Sequence, residues 1–193
     1  MVVKAKELLH NPIITNHRIN TMTLYRTFLL LTFSLFLSMP AMAASEPDVL
    51  SVHGDWTAYT FTENGNKVCY MASQPTKATG NYTQRGEIFA LITHRPAEKS
   101  KNVFSYVTGY NYKAGSDVTA TIGNKKFVLF TLQDMAWTRD DKTDNAITNA
   151  VRTGSNIVVK GTSSRGTLTT DTYSLKGSSA AYDAISRACG VAP

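Results

Sequence analysis

Two cysteines, Cys69 and Cys189, constrain the fold of this chain more than any other feature of its sequence. A bond between them would close a loop over 120 residues and hold the end of the chain against one of its first strands. An even number of cysteines favours a disulfide in an oxidising compartment. The alternative is a pair of free thiols buried in the core, so the prediction depends on whether the chain is exported.

The N-terminal segment predicts export. Residues 28–37 are apolar apart from Thr32 and Ser34; Arg26 precedes them, and a small-residue site at 41–43 follows them. These are the parts of a secretory signal peptide, and the run is much shorter than the roughly 20 apolar residues that cross a bilayer. We expect residues 1–43 to be removed, with translation starting at Met22. Residues 44–193 are then expected to form one exported domain without a membrane span.

The charge of the exported part is modest. The complete chain has a net charge of +6, but the predicted signal peptide holds four of the 20 basic residues and one of the 14 acidic residues, which leaves +3 on the rest. A charge of this size gives no reason to expect a nucleic acid as a partner.

Short apolar or alternating segments separated by turn signals predict an all-β fold. Asn64–Gly65 and Gly123–Asn124 are two-residue hairpin signals, and residues 88–92 form a continuous apolar run typical of buried strands. About eight or nine strands follow one another in hairpins, with residues 44–50 expected as a polar leader and residues 74–85 as a loop. We predict an antiparallel β-sandwich, with a closed barrel as the alternative.

Two short helices complete the predicted fold. The polar stretch at 140–145 contains three aspartates, which suit the positive end of a helix dipole. Thr143 or Asp144 is expected to cap this helix, and Gly154 to end it in a left-handed conformation. The second helix begins near residue 178 and ends at the second cysteine.

Residues that carry chemistry are few. His53 and His94 are the two histidines of the exported part, and His53 with Asp55 suggests a hydrolase with an unrecognised nucleophile. The sequence contains no Gly-x-Ser-x-Gly nucleophile elbow, which favours an ordinary role for both histidines. We expect replacement of either one by alanine to leave function intact. The aspartates at 140–145 lack the spacing of a calcium loop, and the sequence has no zinc-type cluster of His and Cys, so no metal or cofactor is expected.

One segment has the composition of a binding surface. Tyr106, Tyr110 and Tyr112, followed by Lys113, resemble a stacking platform with an adjacent positive charge. Aromatic residues in strands also fill the cores of β-proteins. The alternative is therefore that these tyrosines are buried.

Three segments resemble the invasion-associated locus B family of small exported bacterial proteins. They are Gly54-Asp55-Trp56, the cysteine strand at 68–71, and residues 173–177 running into Cys189. The resemblance covers residues 54–189. It implies an immunoglobulin-like β-sandwich in the periplasm or at the outer surface, without known enzymatic activity, and some members are linked to host-cell invasion. The family supplies no catalytic residue.

Two functions follow as expectations. The first is an exported, non-enzymatic protein that binds a protein or glycan of the cell envelope or of a host surface. The second is an exported hydrolase that uses His53 or His94. A histidine bonded to both a carboxylate and a hydroxyl would favour the hydrolase, whereas an exposed aromatic surface would favour the binding protein.

Overall fold

The computed structural model describes residues 46–192. The predicted signal peptide, residues 1–43 with Met22, lies outside the described residues. Within 46–192, none of the helices combines the length and the apolar character that crossing a membrane requires.

Eleven strands and two α-helices make up the described part of the chain. The strands are β1 (Asp48–His53), β2 (Trp56–Glu63), β3 (Asn66–Ser73), β4 (Lys77–Gly80), β5 (Phe89–Arg95), β6 (Ser100–Val107), β7 (Val118–Ile122), β8 (Lys125–Leu132), β9 (Met135–Trp137), β10 (Asn156–Thr162) and β11 (Leu168–Ser174). The helices are α1 (Asp141–Thr153) and α2 (Ser178–Cys189), and a 3-10 turn (Pro96–Glu98) joins β5 to β6. Residues 48–50 of β1 lie in the segment predicted as a leader, and β4 lies in the segment predicted as a loop, so those two predictions are wrong.

The predicted turn at Asn64–Gly65 sets the register of the first hairpin. Both residues have positive φ, 50° and 78°, as a tight two-residue hairpin turn requires. Glu63 therefore faces Asn66, and each step away from the turn brings one more residue of β2 opposite one of β3. β3 pairs with β5, and β5 with β6, in the same antiparallel sense.

All eleven strands form one hydrogen-bonded order, β1-β2-β3-β5-β6-β9-β8-β7-β10-β11-β4. β8 belongs to both halves of this order, because residues 125–129 pair with β7 and residues 130–132 pair with β9. The halves meet through side chains: the rings of Tyr106 in β6 and Tyr173 in β11 lie 6.1 Å apart. The antiparallel all-β fold with two helices, the second C-terminal, is confirmed. The immunoglobulin-like sandwich is a finer description that stays a prediction.

One face of the first half of this order, which begins β1-β2-β3-β5-β6, carries much of the core, and we call it the inner face. Trp56, Met71, Ile92 and Phe104 are completely buried on it. Helix α2 packs on β1, β2, β3 and β5, while α1 packs on β6 and β8. Because successive side chains of a strand point to opposite sides, the residues between these core positions face away from the helices.

The predicted disulfide joins Cys69 in β3 to Cys189 at the end of α2, with the two Cα atoms 6.0 Å apart. Gly190 follows with a φ of 62°, a left-handed conformation that ends a helix at little cost when the residue is glycine. The bond therefore holds the last helix on the third strand, as the sequence predicts.

The start of α1 differs from the prediction. Asp140 is the cap, because its side chain accepts the N–H of Thr143 at 2.7 Å. Asp144 is buried and accepts the N–H of Phe104 at 2.7 Å and the hydroxyl of Thr138 at 2.6 Å, which ties the helix to β6. Burial raises the pKa of Asp144. Gly154 ends the helix with an extended backbone, φ −86° and ψ 177°, so the predicted left-handed conformation is wrong.

Candidate binding surface

His94 is completely buried on the inner face. Its Nδ1 accepts the backbone N–H of Asn102 at 3.1 Å, so the ring proton is on Nε2, which donates to Ser186 Oγ at 3.2 Å. A nitrogen that already carries a proton cannot remove one from serine. Burial and the nearby charge of Lys101 lower the pKa of His94 to about 4, which keeps the ring neutral. This contact stabilises the core and lacks the geometry of a general base.

His53 is half-buried at the end of β1. Its Nε2 lies 2.8 Å from Ser51 Oγ, and Ser51 is its close neighbour in the same strand. In residues 46–192, neither histidine side chain has a carboxylate among its hydrogen-bonding partners. The His53–Asp55 pair suggested by the sequence is therefore not formed.

The predicted tyrosine platform is not an exposed surface. Tyr106 is 1% exposed and Tyr112 is 7% exposed, because both point into the core. Tyr110 is half-buried, with its hydroxyl 2.7 Å from Thr169 Oγ1, and only Lys113 of the four residues is exposed. The alternative, that these aromatic side chains fill the core, is the one that the structure supports.

Tyr106 belongs to a buried polar cluster around Arg85. The guanidinium donates two hydrogen bonds of 2.6 Å to the carboxylate of Asp171, and its Nε donates to the carbonyl of Thr108 at 2.7 Å. The hydroxyl of Tyr106 donates to the same carboxylate. Tyr110 stacks on the guanidinium, whose central carbon is 5.0 Å from its ring centre. The positive charge of Arg85 and the negative charge of Asp171 are paired within the cluster, which connects the loop before β5 to β11.

Acidic residues do not gather into a metal site in the described part of the chain. Among residues 46–192, no group of three or more His, Cys, Asp or Glu side chains is placed to hold an ion. The aspartates near 140 are used by α1, as a cap and as a buried tie to β6.

The side of the first half that points away from the helices carries a continuous band of mainly apolar side chains, which we call the outer face. Residues directly opposite each other in paired strands share a face, so the register places one row across seven strands. Its members, from β1 to β8, are Val52, Thr57, Ala72, Leu91, Ser105, Trp137 and Phe130. At about 4.8 Å between strands, the row is about 29 Å long.

An aromatic stack occupies the next row of the outer face. Tyr59 and Tyr70 are directly opposite in β2 and β3, and their rings are parallel within 11° with centres 4.8 Å apart. Phe61 meets Tyr70 edge-on at 6.0 Å. Burial and the neighbouring Tyr59 raise the pKa of Tyr70 to about 12.

Several large apolar side chains of the outer face are open to solvent. Val49 and Val52 are 60% and 66% exposed at one edge, and Val128 and Leu132 are 46% and 48% exposed in β8. Contiguous apolar surface on a soluble protein marks a site of interaction with another molecule. The outer face is therefore the candidate binding surface of the described part of the chain.

The sequence contains a signal for this surface that our prediction did not use. The Asn64–Gly65 turn alone fixes which residues of β2 and β3 are opposite, and counting outward from it pairs Tyr59 with Tyr70. The prediction instead took its aromatic platform from residues 106–113, where alternation shows two faces but does not show which one is covered.

Comparison with known proteins agrees with this fold. A family model described as "Invasion associated locus B (IalB) protein" matches residues 56–186. A solved structure, the crystal structure of invasion associated protein b from Bartonella henselae, superposes with a TM-score of 0.50 at 12% sequence identity and covers 75% of this chain and 97% of that chain. At this identity the likeness concerns the fold alone. A search of curated proteins finds no match.

Proposed function

This chain belongs to the invasion associated locus B family, and on that premise we propose that it is an exported, non-enzymatic protein that binds another protein through its outer face. The proposed site of action is the periplasm or the cell surface. The predicted signal peptide supports export, and the disulfide between Cys69 and Cys189 suits an oxidising compartment. In this proposal a contribution to host-cell invasion would come from binding, since the solved relative carries that role in its title.

The outer face carries the proposal. It is rich in the residue types that are enriched in protein interfaces, with Tyr59, Tyr70, Trp137, Phe130 and Met135 all on it. Its row of about 29 Å is close to the width of a standard interface, which buries about 800 Å² on each partner. A sheet face of mixed aromatic and aliphatic residues suits the apolar surface of a folded protein, so we favour a protein partner over a glycan.

The partner is expected to present acidic groups beside its apolar surface. Arg139 lies at the β8 end of the outer face, with its guanidinium carbon 5.5 Å from the ring centre of Phe130. Its side chain is 61% exposed, and its contact with Asp117 at 3.2 Å is equally open to water. Surface pairs of this kind contribute little, so Arg139 is free to exchange that contact for a carboxylate of the partner.

Affinity capture from envelope extracts tests the proposal when it is combined with matched variants. The test variant is Val128→Glu with Leu132→Glu, two exposed positions of the outer face. The control is Leu168→Glu, which is 60% exposed in β11, a strand that pairs with β10 and β4 and with none of the strands of the outer face. We expect the same protein to be retained by the native domain and the control and lost with the test variant.

The retained protein is then purified and titrated against all three domains by calorimetry. A loss of affinity of at least tenfold confined to the test variant is expected. Equal affinities for the test variant and the control would refute the outer face as the binding surface. Capture that survives proteolysis of the extract but is lost after periodate oxidation of its sugars would show that the partner is a glycan instead.

A further inference from the structure

Strand β1 leaves one edge of the sheet open. Among the strands of residues 46–192, it is the first in the hydrogen-bonded order and pairs with β2 alone. Its sequence, DVLSVH, contains no lysine, arginine or proline, residues that natural proteins commonly place on edge strands to prevent pairing with another chain, and its one acidic residue, Asp48, is at its start. Val49, Leu50 and Val52 are 60%, 39% and 66% exposed.

The opposite edge of the sheet is protected. Strand β4 is only four residues long, Lys77–Gly80, and begins with a lysine. It ends at a glycine whose φ is 159°. A short, charged strand of this kind pairs poorly with a neighbour. Of the two edges of the described sheet, the one at β1 is therefore better suited to pairing.

A bulge in β1 makes its free edge self-complementary. The register between β1 and β2 shifts between Val49 and Ser51, which leaves Leu50 as the extra residue. Without the bulge, Val49 and Val52 would lie on opposite faces. With it, both lie on the outer face, opposite Tyr59 and Thr57 respectively.

The bulge also gives the backbone hydrogen-bonding groups of Val49 and Val52 the same direction. His53 and Trp56 close the two-residue turn at Gly54–Asp55, and the pair that closes such a hairpin exchanges its hydrogen bonds. Hydrogen-bonded and non-hydrogen-bonded positions alternate along β2, so Thr57 and Tyr59 are both non-hydrogen-bonded toward β1. The N–H and C=O groups of their partners, Val52 and Val49, therefore point away from β2. Each residue thus presents a free donor and a free acceptor to the solvent edge.

We propose that β1 pairs antiparallel with β1 of a second copy of this chain, across a two-fold axis between Leu50 and Ser51. In this register Val49 of each copy faces Val52 of the other, with their free backbone groups aligned, and Asp48 faces His53. The contacts are isologous, as a two-fold interface requires. The sheet continues across the axis, and the two outer faces form one surface on the same side. The pairing does not depend on what the outer face binds.

Sedimentation equilibrium of the exported domain tests the pairing. A six-residue strand contact is at the small end of interfaces, so we expect a weak dimer whose weight-average mass rises from one chain toward two between about 5 and 500 µM. Val49→Lys with Val52→Lys places like charges opposite each other and should weaken the dimer at least tenfold. Leu168→Lys, an equally exposed control on β11, should dimerise like the native protein. A native mass of one chain throughout this range, or unchanged dimerisation of the Val49/Val52 variant, would overturn the proposal.

Introduced cysteines test the register. Both native cysteines are in the disulfide, so a single new thiol reports only on contacts between copies. Directly opposite residues lie within about 5.5 Å between Cα atoms, which a disulfide can span, whereas residue 49 and its own copy are offset by about 10 Å. We expect mild oxidation of a mixture of Val49→Cys and Val52→Cys to give at least tenfold more cross-linked dimer than either variant alone. Equal cross-linking in all three samples would overturn the register.

Discussion

Removal of the disulfide should destabilise the domain by an amount that the loop length sets. The bond joins residues that are 120 apart in the sequence. The chain-entropy expression gives about 5 kcal/mol for a loop of this length at 25 °C. Domains of this size are stable by about 5–15 kcal/mol in total, so the double variant Cys69→Ala/Cys189→Ala should lose between a third and all of its stability.

Equilibrium unfolding in urea measures this loss, with Trp56 in the core and the half-buried Trp137 as fluorescent probes. At about 2–4 °C per kcal/mol, we also expect the melting temperature to fall by roughly 10–20 °C. Because the bond acts mainly on the unfolded chain, its removal should raise the dependence of unfolding free energy on urea concentration. Native protein treated with reductant should match the double variant, since the two share an open chain and differ only in two sulfur atoms. A loss below about 1 kcal/mol in both samples would refute the reasoning.

Three further predictions concern a buried histidine, a buried ion pair and a glycine in close contact with another strand. The His94 ring is neutral in the folded protein, with a pKa of about 4 against 6.5 in the unfolded chain, so between these pH values only the unfolded chain binds the extra proton. The free energy of unfolding is therefore highest above pH 6.5 and should fall by about 2.5 kcal/mol between pH 7 and pH 4.5. Urea unfolding of His94→Gln should lack this pH dependence. Asp171→Asn should cost about 3–5 kcal/mol because it leaves the guanidinium of Arg85 buried without its carboxylate, and the double variant with Arg85→Met should recover part of that cost. Gly177→Ala should lower the melting temperature more than Gly166→Ala. The two glycines have nearly the same φ, 89° and 86°, but a methyl group at 177 would lie 1.9 Å from the carbonyl oxygen of His53, whereas the space around 166 is open. Equal decreases in melting temperature would contradict this.

Local signals in the sequence predicted the parts of the fold that local chemistry decides. Asn64–Gly65 and Gly123–Asn124 form tight turns because the chain there adopts positive φ without penalty, at Gly65 and Gly123 above all. The last helix and its disulfide were also predictable, since the helix ends in a cysteine followed by Gly190. In the turns and at the end of the helix, the residues that make the structure are neighbours in the sequence, and the disulfide could be predicted because the chain has only two cysteines and a predicted signal peptide.

The errors arose where distant parts of the chain decide the outcome. β1 was missed because the bulge at Leu50 interrupts the alternation that marks a strand. The side of β6 that enters the core was not predictable either, since Phe104 and Tyr106 on one face and Val103 and Val107 on the other are all apolar. The helices and β11 decide between these faces, because they cover the side of Tyr106.

The same strands carry stability on one side and the proposed binding surface on the other. In β3, Cys69 and Met71 are buried against the helix side, while Tyr70 between them belongs to the aromatic stack. The inner face has no capacity left for a partner, since the disulfide, the neutral His94 and the helices already use it. Adjacent residues of one strand therefore form matched pairs for experiment. Substitution of Met71 should lower stability without a specific effect on binding, whereas substitution of Tyr70 by serine should weaken binding at a smaller cost in stability.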